Sequence, residues 1–200
     1  AIERFDLFPG SNPLFGLNTL GGALSLRTRS GFSSPGVDTN LLAGSFGRRQ
    51  AQVAAGANNG TIGGFAALHY FDEDGWRDDS PSRVRQFFGR ADWRGRFGVL
   101  TATAMLADND LIGNGLIPIE LYEQRPESVF SSPDQGKNKL IQFALSGTYD
   151  VSETANLSAQ AYRRMSDRDG LNGDVYEEFD GFGKLHDSIE DPARSGDPTV

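Results

Sequence analysis

The feature that most constrains the fold is a two-residue alternation of side-chain character that recurs from Val37 onward. Because successive side chains of a strand point to opposite faces, this period predicts β-strands. The longest apolar runs span only a few residues, too short for the ~20 that a transmembrane helix needs. We therefore predict an all-β protein with seven strands here, in residues 37–47, 48–57, 61–71, 85–93, 97–107, 139–149 and 156–163.

One face of the sharpest strands is apolar and, away from the strand ends, carries no charge. Such alternation is typical of an antiparallel sheet with one solvated face, and equally of strands that face lipid on one side. Each segment is close to the ~9–11 residues that a tilted strand needs to cross a bilayer. The residues that we expect to face lipid are Phe87, Trp93, Leu100, Ile141, Phe143, Leu145 and Tyr149.

The connections between these strands alternate in length. Short ones fall at 58–60, 94–96 and 150–154, and long polar ones at 72–85, 108–139 and from residue 166 onward. The hairpin at 45–48 is an exception, because it is short although it falls on the long-loop side. Short turns on one edge and long loops on the other are the arrangement of outer-membrane barrels. A soluble sandwich has no reason to keep this asymmetry, so the pattern favours a partial transmembrane antiparallel β-barrel.

A glycine-rich segment, GSNPLFGLNTLGGALSLRTRSG (residues 10–31), precedes the regular strands, and a Gly/Ser/Pro-rich stretch at residues 30–36 is predicted to be the linker between them. Gly16 and Gly21 have the spacing of a phosphate-binding loop. The next two residues are Gly22 and Ala23, however, where that chemistry requires Lys and Ser or Thr, and a strand follows instead of a helix. The segment is therefore no nucleotide site, and its glycines are interpreted as points of tight turning and close backbone approach.

The beginning of the chain resembles the end of the plug domain of TonB-dependent outer-membrane receptors. In that family a strand such as ERIEVLRGP leads into a YG…GGxxNIxTK segment that precedes the barrel. Pro9 departs from the pattern, since Arg is common there, and Ser25 departs where Asn is frequent. The resemblance is specific over roughly the first 35 residues and looser over the next 130 or so. Its matching positions are Glu3, Arg4, Gly10, Phe15, Gly16, Gly21, Gly22 and Arg27.

This resemblance implies two regions: residues 1–35 as the C-terminal part of a plug domain and residues 36–200 as the first strands of an incomplete barrel. It implies an outer-membrane receptor that takes up a scarce ligand, such as a ferric siderophore or cobalamin, with energy from TonB. The implied partners are outer-membrane lipid, TonB and a small molecule such as a metal chelate. We expect the chain to be a piece of a longer receptor, with the TonB-contacting segment upstream of Ala1.

The resemblance also suggests how the two regions meet. Arginines of the plug region would face polar wall residues across a hydrated interface that can slide. The expected plug residues are Arg4, Arg27 and Arg29, and the expected wall residues are Arg90, Asp92 and Gln142.

Other chemistry finds little support in the residues. A net charge of −8 argues against a nucleic-acid partner. The chain has no Cys, and His69 and His186 lie in different predicted elements. No catalytic triad, paired-carboxylate cleft or cofactor fingerprint is present, so we expect no enzyme, no cofactor and no metal. Acidic stretches at 72–79 and 167–174 resemble Ca²⁺ loops only loosely.

Two alternative functions stay open at this point. One is a passive or structural outer-membrane barrel, which would have no use for the plug-like segment. The other is a soluble β-sandwich that binds sugar or calcium.

Overall fold

A computed structural model describes residues 1–10, 21–132 and 134–173. Over these residues the protein is all-β with antiparallel sheets, as predicted, and a single six-residue helix. Among the described residues, no helix has the length and apolar character required to cross a membrane. The predictions for Phe15, Gly16 and His186 concern residues outside these ranges.

The first sheet is a two-stranded hairpin formed by β1 (Ile2–Pro9) and β2 (Gly22–Thr28). Its pairing places four apolar side chains on one face, all more than half exposed: Phe5, Leu7, Leu24 and Leu26. The other face carries Arg4 opposite Arg27 and Asp6 opposite Ser25. An isolated two-stranded ribbon is marginally stable in water, so this hairpin depends on its attachment to the rest of the chain.

The second sheet has seven strands that follow one another in chain order, each antiparallel to the next. They are β3 (Gly36–Ala43), β4 (Arg49–Asn58), β5 (Ile62–Glu73), β6 (Ser82–Gly95), β7 (Gly98–Gly113), β8 (Asp134–Ser152) and β9 (Ala155–Leu171). The number and order of the predicted strands are confirmed. Over the described residues β3 and β9 do not pair with each other, so the sheet is open and does not close into a barrel.

The last four strands are longer than the alternation predicted. They span 14, 16, 19 and 17 residues, because pairing continues beyond the apolar part into charged residues. The connection predicted at 108–139 therefore shrinks to the stretch between Gly113 and Asp134. A short helix, α1 (Ile119–Gln124), lies within it and buries no residue. This helix was not predicted, since six residues are too few to show a helical period.

The two faces of the seven-stranded sheet have different surroundings. We call the face that contacts residues 28–34 the anchor face, and the opposite one the apolar face. Among the described residues, the apolar side chains that expose less than a tenth of their surface are Phe65 and Phe88. Both lie on the anchor face. The core is therefore small among the described residues, and it sits where residues 28–34 meet the sheet.

Candidate functional site

The contact between the two sheets is made by residues 28–34, which we call the anchor segment. Ser30 and Gly31 are buried within it. The backbone amides of Ser30 and Ser33 each donate to the other residue's hydroxyl oxygen at 3.1 Å, and the Ser34 amide donates to the Ser30 carbonyl at 2.9 Å. The Gly/Ser/Pro stretch predicted as a linker is therefore an ordered turn.

Missing Cβ atoms allow this turn to approach the sheet. A Cβ at Gly31 would collide with the backbones of Ala57 and Gly64. On the sheet side, a Cβ at Gly63 would enter the ring of Phe32. Glycine within a strand often marks such a close approach of another backbone. The anchor segment thus packs against the Gly63–Gly64 pair of β5. The alternating pattern of the sequence does not distinguish this pair from the rest of the strand.

Two side chains from the short-turn end of the sheet hold the tip of the turn. Asn58 Nδ2 donates to the Gly31 carbonyl oxygen at 2.8 Å. The guanidinium of Arg94 lies 3.6 Å from the centroid of the Phe32 ring, a cation–π contact. Together they fix the backbone of Gly31 and the side chain of Phe32.

A buried charged cluster holds the start of the anchor segment. Arg90 Nη1 donates to the carbonyl oxygen of Thr28 at 3.0 Å and to its hydroxyl at 2.9 Å. The other side of the same guanidinium donates to both carboxylate oxygens of Asp92, at 2.9 and 2.8 Å. Thr101 Oγ1 also donates to Asp92 at 2.7 Å. Because Asp92 is only 4% exposed, it is satisfied through these bonds and orients Arg90 toward the anchor segment.

Arg29 holds the end of the anchor segment. Its Nε donates to Ser34 Oγ at 2.9 Å and its Nη2 pairs with Asp38 Oδ2 at 2.6 Å. Its guanidinium lies 5.3 Å from the centroid of Phe65, which packs in turn on Phe88 at 6.3 Å. Arg29 therefore joins the turn, β3 and the small apolar core.

The expected arginine contacts are corrected by this geometry. Arg90 and Asp92 do lie at the interface, but Arg90 donates to Thr28 and not to another arginine's partner. Of the three expected plug arginines, Arg29 reaches a polar residue of the sheet, Asp38. Arg4 pairs with Asp6 of its own strand at 2.7 Å, and Arg27 stays on the exposed hairpin. The anchor segment contacts the sheet directly and its central residues are buried; that the interface is hydrated and can slide stays a prediction.

The remaining predicted plug residues have turning roles or lie on the hairpin surface. Gly10 and Gly22 adopt φ values of +85° and +141°, and a Cβ at Gly22 would lie 2.7 Å from the Phe8 carbonyl oxygen. Both positions therefore need glycine. Gly21 has open space around it, and Glu3 is exposed on β1. The structure places none of these four residues on the anchor face of the seven-stranded sheet.

A cavity of about 850 Å³ lies between the hairpin and the anchor face. Ile2 and Leu26 line it from the hairpin side. The wall opposite is rich in amide and cationic side chains: Asn40, Gln52, Gln86, Asn109, Asn138, Arg164 and Arg168. His69 also lines it, and its Nε2 is buried without a hydrogen-bond partner among the described residues. Apolar residues line the cavity as well, among them Phe88, Met105 and Leu140, so its lining is mixed in character.

The apolar face brings together all seven residues predicted to face lipid. Register pairing places them on the side of the sheet opposite the anchor segment. Phe87 is partly shielded, and the other six are between 41 and 55% exposed. That these side chains contact lipid stays a prediction.

The long-loop end of the sheet is cross-linked by polar contacts. Asp74 N donates to the Phe46 carbonyl at 2.9 Å, and Arg125 forms ion pairs with Asp78 at 2.9 Å and with Glu127 at 3.2 Å. A hydrogen bond from Glu127's own backbone, together with that from Arg125, lowers the pKa of the Glu127 carboxyl. These loops form one connected surface, with Trp76 about half exposed on it.

The described residues contain no group of three or more His, Asp or Glu side chains placed to hold a metal ion. Asp72, Asp74, Asp78 and Asp79 of the first acidic stretch are thus not gathered into a site.

Comparison with protein-family models, with curated proteins and with solved structures finds no match to this chain. What the protein does must therefore be argued from its own residues and geometry.

Proposed function

We propose that the chain forms part of the wall of an outer-membrane receptor, joined to the end of the plug domain that occupies its lumen. The receptor takes up a scarce ligand, such as a ferric siderophore or cobalamin, with energy from TonB. The observation that carries this proposal is the opposite character of the two faces of one sheet. One face is apolar and is not covered by any described residue, and the other is polar and holds the anchor segment.

The height of the apolar face fits a bilayer. On β8, outward residues run from Tyr149 to Ile141 through Gly147, Leu145 and Phe143. The eight steps between these nine residues, at ~3.4 Å each, cover about 27 Å along the strand, which is about 20 Å of height at the ~40° tilt of barrel strands. Outer-membrane barrels carry an apolar band about 25 Å tall, so the match is close.

The borders of the apolar face also support the proposal. Trp93 and Tyr149 lie toward the short turns, and Tyr70 lies toward the long loops. Aromatic girdles at both interfaces are a feature of barrels in membranes. Beyond Tyr70 the outward positions become charged, with Asp72 paired in register with Arg49 and Arg83.

One charge interrupts the apolar face. Arg163 of β9 lies in register with Phe143, near the middle of the band. Arginine near the bilayer midplane costs about 2–4 kcal/mol unless its charge finds a partner or reaches the interface. Among the described strands, β9 is therefore the one for which the proposal requires an additional contact, namely a partner for the guanidinium of Arg163.

The two alternative functions explain the geometry less well. In a β-sandwich the apolar face of each sheet is turned toward the other sheet. Here the segment that packs on the sheet uses the polar face, and within the described ranges the apolar face stays uncovered. A barrel without a plug gives no reason for Gly31, Asn58 and Arg90 to hold a turn against its inner side.

Lipid contact can be tested through the chain's two tryptophans. With Trp76 replaced by Phe, the chain in phosphatidylcholine vesicles reports on Trp93 alone. We expect lipids brominated on their acyl chains to quench Trp93 fluorescence strongly. The matched variant Trp93→Phe reports on Trp76, which lies in a loop, and should be quenched far less. Equal quenching of the two residues would show that the apolar face does not contact lipid.

Uptake requires a cellular test. A strain that lacks the gene is grown with a single iron chelate or with cobalamin as the limiting source. Loss of growth on one source, restored by the gene, identifies the ligand class. Normal growth on every such source would contradict the uptake proposal while leaving the membrane placement intact.

A further inference from the structure

Four consecutive strands carry pairs of like charges on the apolar face, at the end nearest the long loops. Each pair has the form charge-x-charge, and the sign changes from one strand to the next. We call them the charged doublets: Arg83/Arg85 on β6, Asp108/Asp110 on β7, Lys137/Lys139 on β8 and Asp167/Asp169 on β9. The letters RVR, DND, KNK and DRD are visible in the sequence, but their relationship depends on register.

The register places every doublet against one of opposite sign. Arg83 faces Asp110 and Arg85 faces Asp108. The two aspartates of β7 then face the two lysines of β8, and those lysines face the two aspartates of β9. Opposite charges directly across an antiparallel pair stabilise it, and like charges destabilise it.

The alternation extends to β5 and β4 with single charges. Asp72 lies in register between Arg49 and Arg83, and its carboxylate accepts a hydrogen bond from Arg83 Nε at 2.9 Å. One outward row therefore changes sign at every step across six strands: Arg49, Asp72, Arg83, Asp110, Lys137 and Asp169. An order so regular specifies which strand may lie beside which, since two acidic or two basic strands would repel.

The sequence of charges stops at a free strand edge. β9 is 17 residues long, exposed throughout, and has no pairing partner on its second edge among the described residues. It contains no proline, and the register irregularity of its pairing lies near the turn to β8. Proteins normally protect a long edge with proline or with bulges, because it otherwise recruits another strand.

We propose that the free edge of β9 is a pairing site for an antiparallel strand that carries a basic doublet opposite Asp167 and Asp169. The same strand places a hydrogen-bond acceptor or acidic residue opposite Arg163. The first requirement follows from the alternation of sign across the sheet, and the second from the cost of an unpaired arginine within the apolar band. Arg163, the charged residue within the apolar face, thereby gains a partner.

The described strands of a second copy do not meet this requirement. The basic doublets of β6 and β8 are already paired on both edges. The free edge of β3 has neutral outward residues, Val37, Thr39, Leu41 and Ala43. Two copies of β9 paired around Met165 would match Arg163 with Asp167 but leave Asp169 opposite Ala161. The requirement opposite Asp167 and Asp169 rests on strand register and does not depend on the proposed receptor function, whereas the requirement opposite Arg163 rests on the proposed membrane placement.

Cross-linking to synthetic strand peptides tests the proposal. The Met165→Cys chain, held in detergent, is mixed with either of two peptides that have a cysteine at the position opposite residue 165. One peptide has Lys-x-Lys and the other Asp-x-Asp opposite residues 167 and 169, and they are otherwise identical. We expect roughly five- to tenfold more disulfide-linked product with the basic peptide. Equal yields from the two peptides overturn the proposal.

A matched variant checks that charge sets the preference. In a Met165→Cys chain with Asp167→Lys and Asp169→Lys added, the acidic peptide should become the better partner. A variant that keeps its β-sheet circular dichroism but still prefers the basic peptide contradicts the proposal. So does a Met165→Cys chain that forms its own disulfide-linked dimer through position 165 in preference to either peptide.

Discussion

The two faces of the seven-stranded sheet are built from the same strands but use their side chains in opposite ways. The anchor face places small and polar residues around one ordered turn, with Gly63, Asn58 and Arg90 each contacting a different part of it. The apolar face keeps large side chains exposed and has no covering element among the described residues. Directional contacts to the anchor segment therefore define one face, whereas exposed apolar side chains define the other.

The largest expected effect is on the anchor face, at the buried charge. Asp92→Asn removes the charge that orients Arg90 and should lower the free energy of unfolding by about 3 kcal/mol, since a buried ion pair that loses one partner leaves an uncompensated charge. Unfolding in denaturant measures this change in the free energy of unfolding. Asp150→Asn, at an exposed strand end, is the control and should change stability by less than about 0.5 kcal/mol. Equal losses in the two variants would show that Asp92 has no special role in holding the anchor segment.

On the apolar face, arginine at the centre of the band should have a similar or slightly smaller effect. Leu145→Arg is expected to lose about 2–4 kcal/mol of stability in lipid vesicles. Leu145 is a better site than Phe143, because a new charge at Phe143 would also face Arg163. The control is Ser146→Arg, which points to the anchor face and should be better tolerated. If both variants lose the same stability, the two faces do not meet different solvents.

Adding one methyl group tests the closeness of the anchor. Gly31→Ala places a Cβ against the backbone of β4 and β5 and should cost roughly 1–3 kcal/mol, the usual range for overpacking. Faster hydrogen exchange of the Ser34 amide reports release of the turn. Gly64→Ala puts its Cβ into open space on the other face, so this variant should leave the hydrogen exchange of the Ser34 amide unchanged. Similar exchange in both variants would mean that the turn is not held by close approach.

The smallest effect concerns the loops and depends on pH. Because the pKa of Glu127 is lowered in the folded protein, its contribution is present above the ordinary glutamate value of ~4.3 and is lost as pH falls through the folded value. Limited proteolysis between residues 114 and 132 should therefore become faster in acid. Arg125→Gln should remove part of this difference, because the hydrogen bond from Glu127's own backbone, the larger cause of the lowered pKa, remains. Cleavage that is independent of pH would show that the Arg125 contacts do not order the loops.

Much of the fold could be predicted because strand alternation is a local property. The seven strands of the second sheet and the shared face of Phe87, Leu100 and Ile141 follow from a period of two. The strand ends were misjudged because an apolar pattern stops where charged doublets begin, although pairing continues. The anchor segment was taken for a linker, since its serines and glycines resemble any flexible connection until their partners are known.

The sequence by itself determined that this protein is built from antiparallel strands with one apolar face, because side-chain alternation is fixed by the backbone of each strand alone. Only the tertiary structure decided that Gly31 meets Gly64, that Arg90 reaches Thr28, and that each charged doublet faces one of opposite sign. Those relationships join residues up to 62 positions apart. They depend on which strands are neighbours and in what register, and no local pattern specifies that.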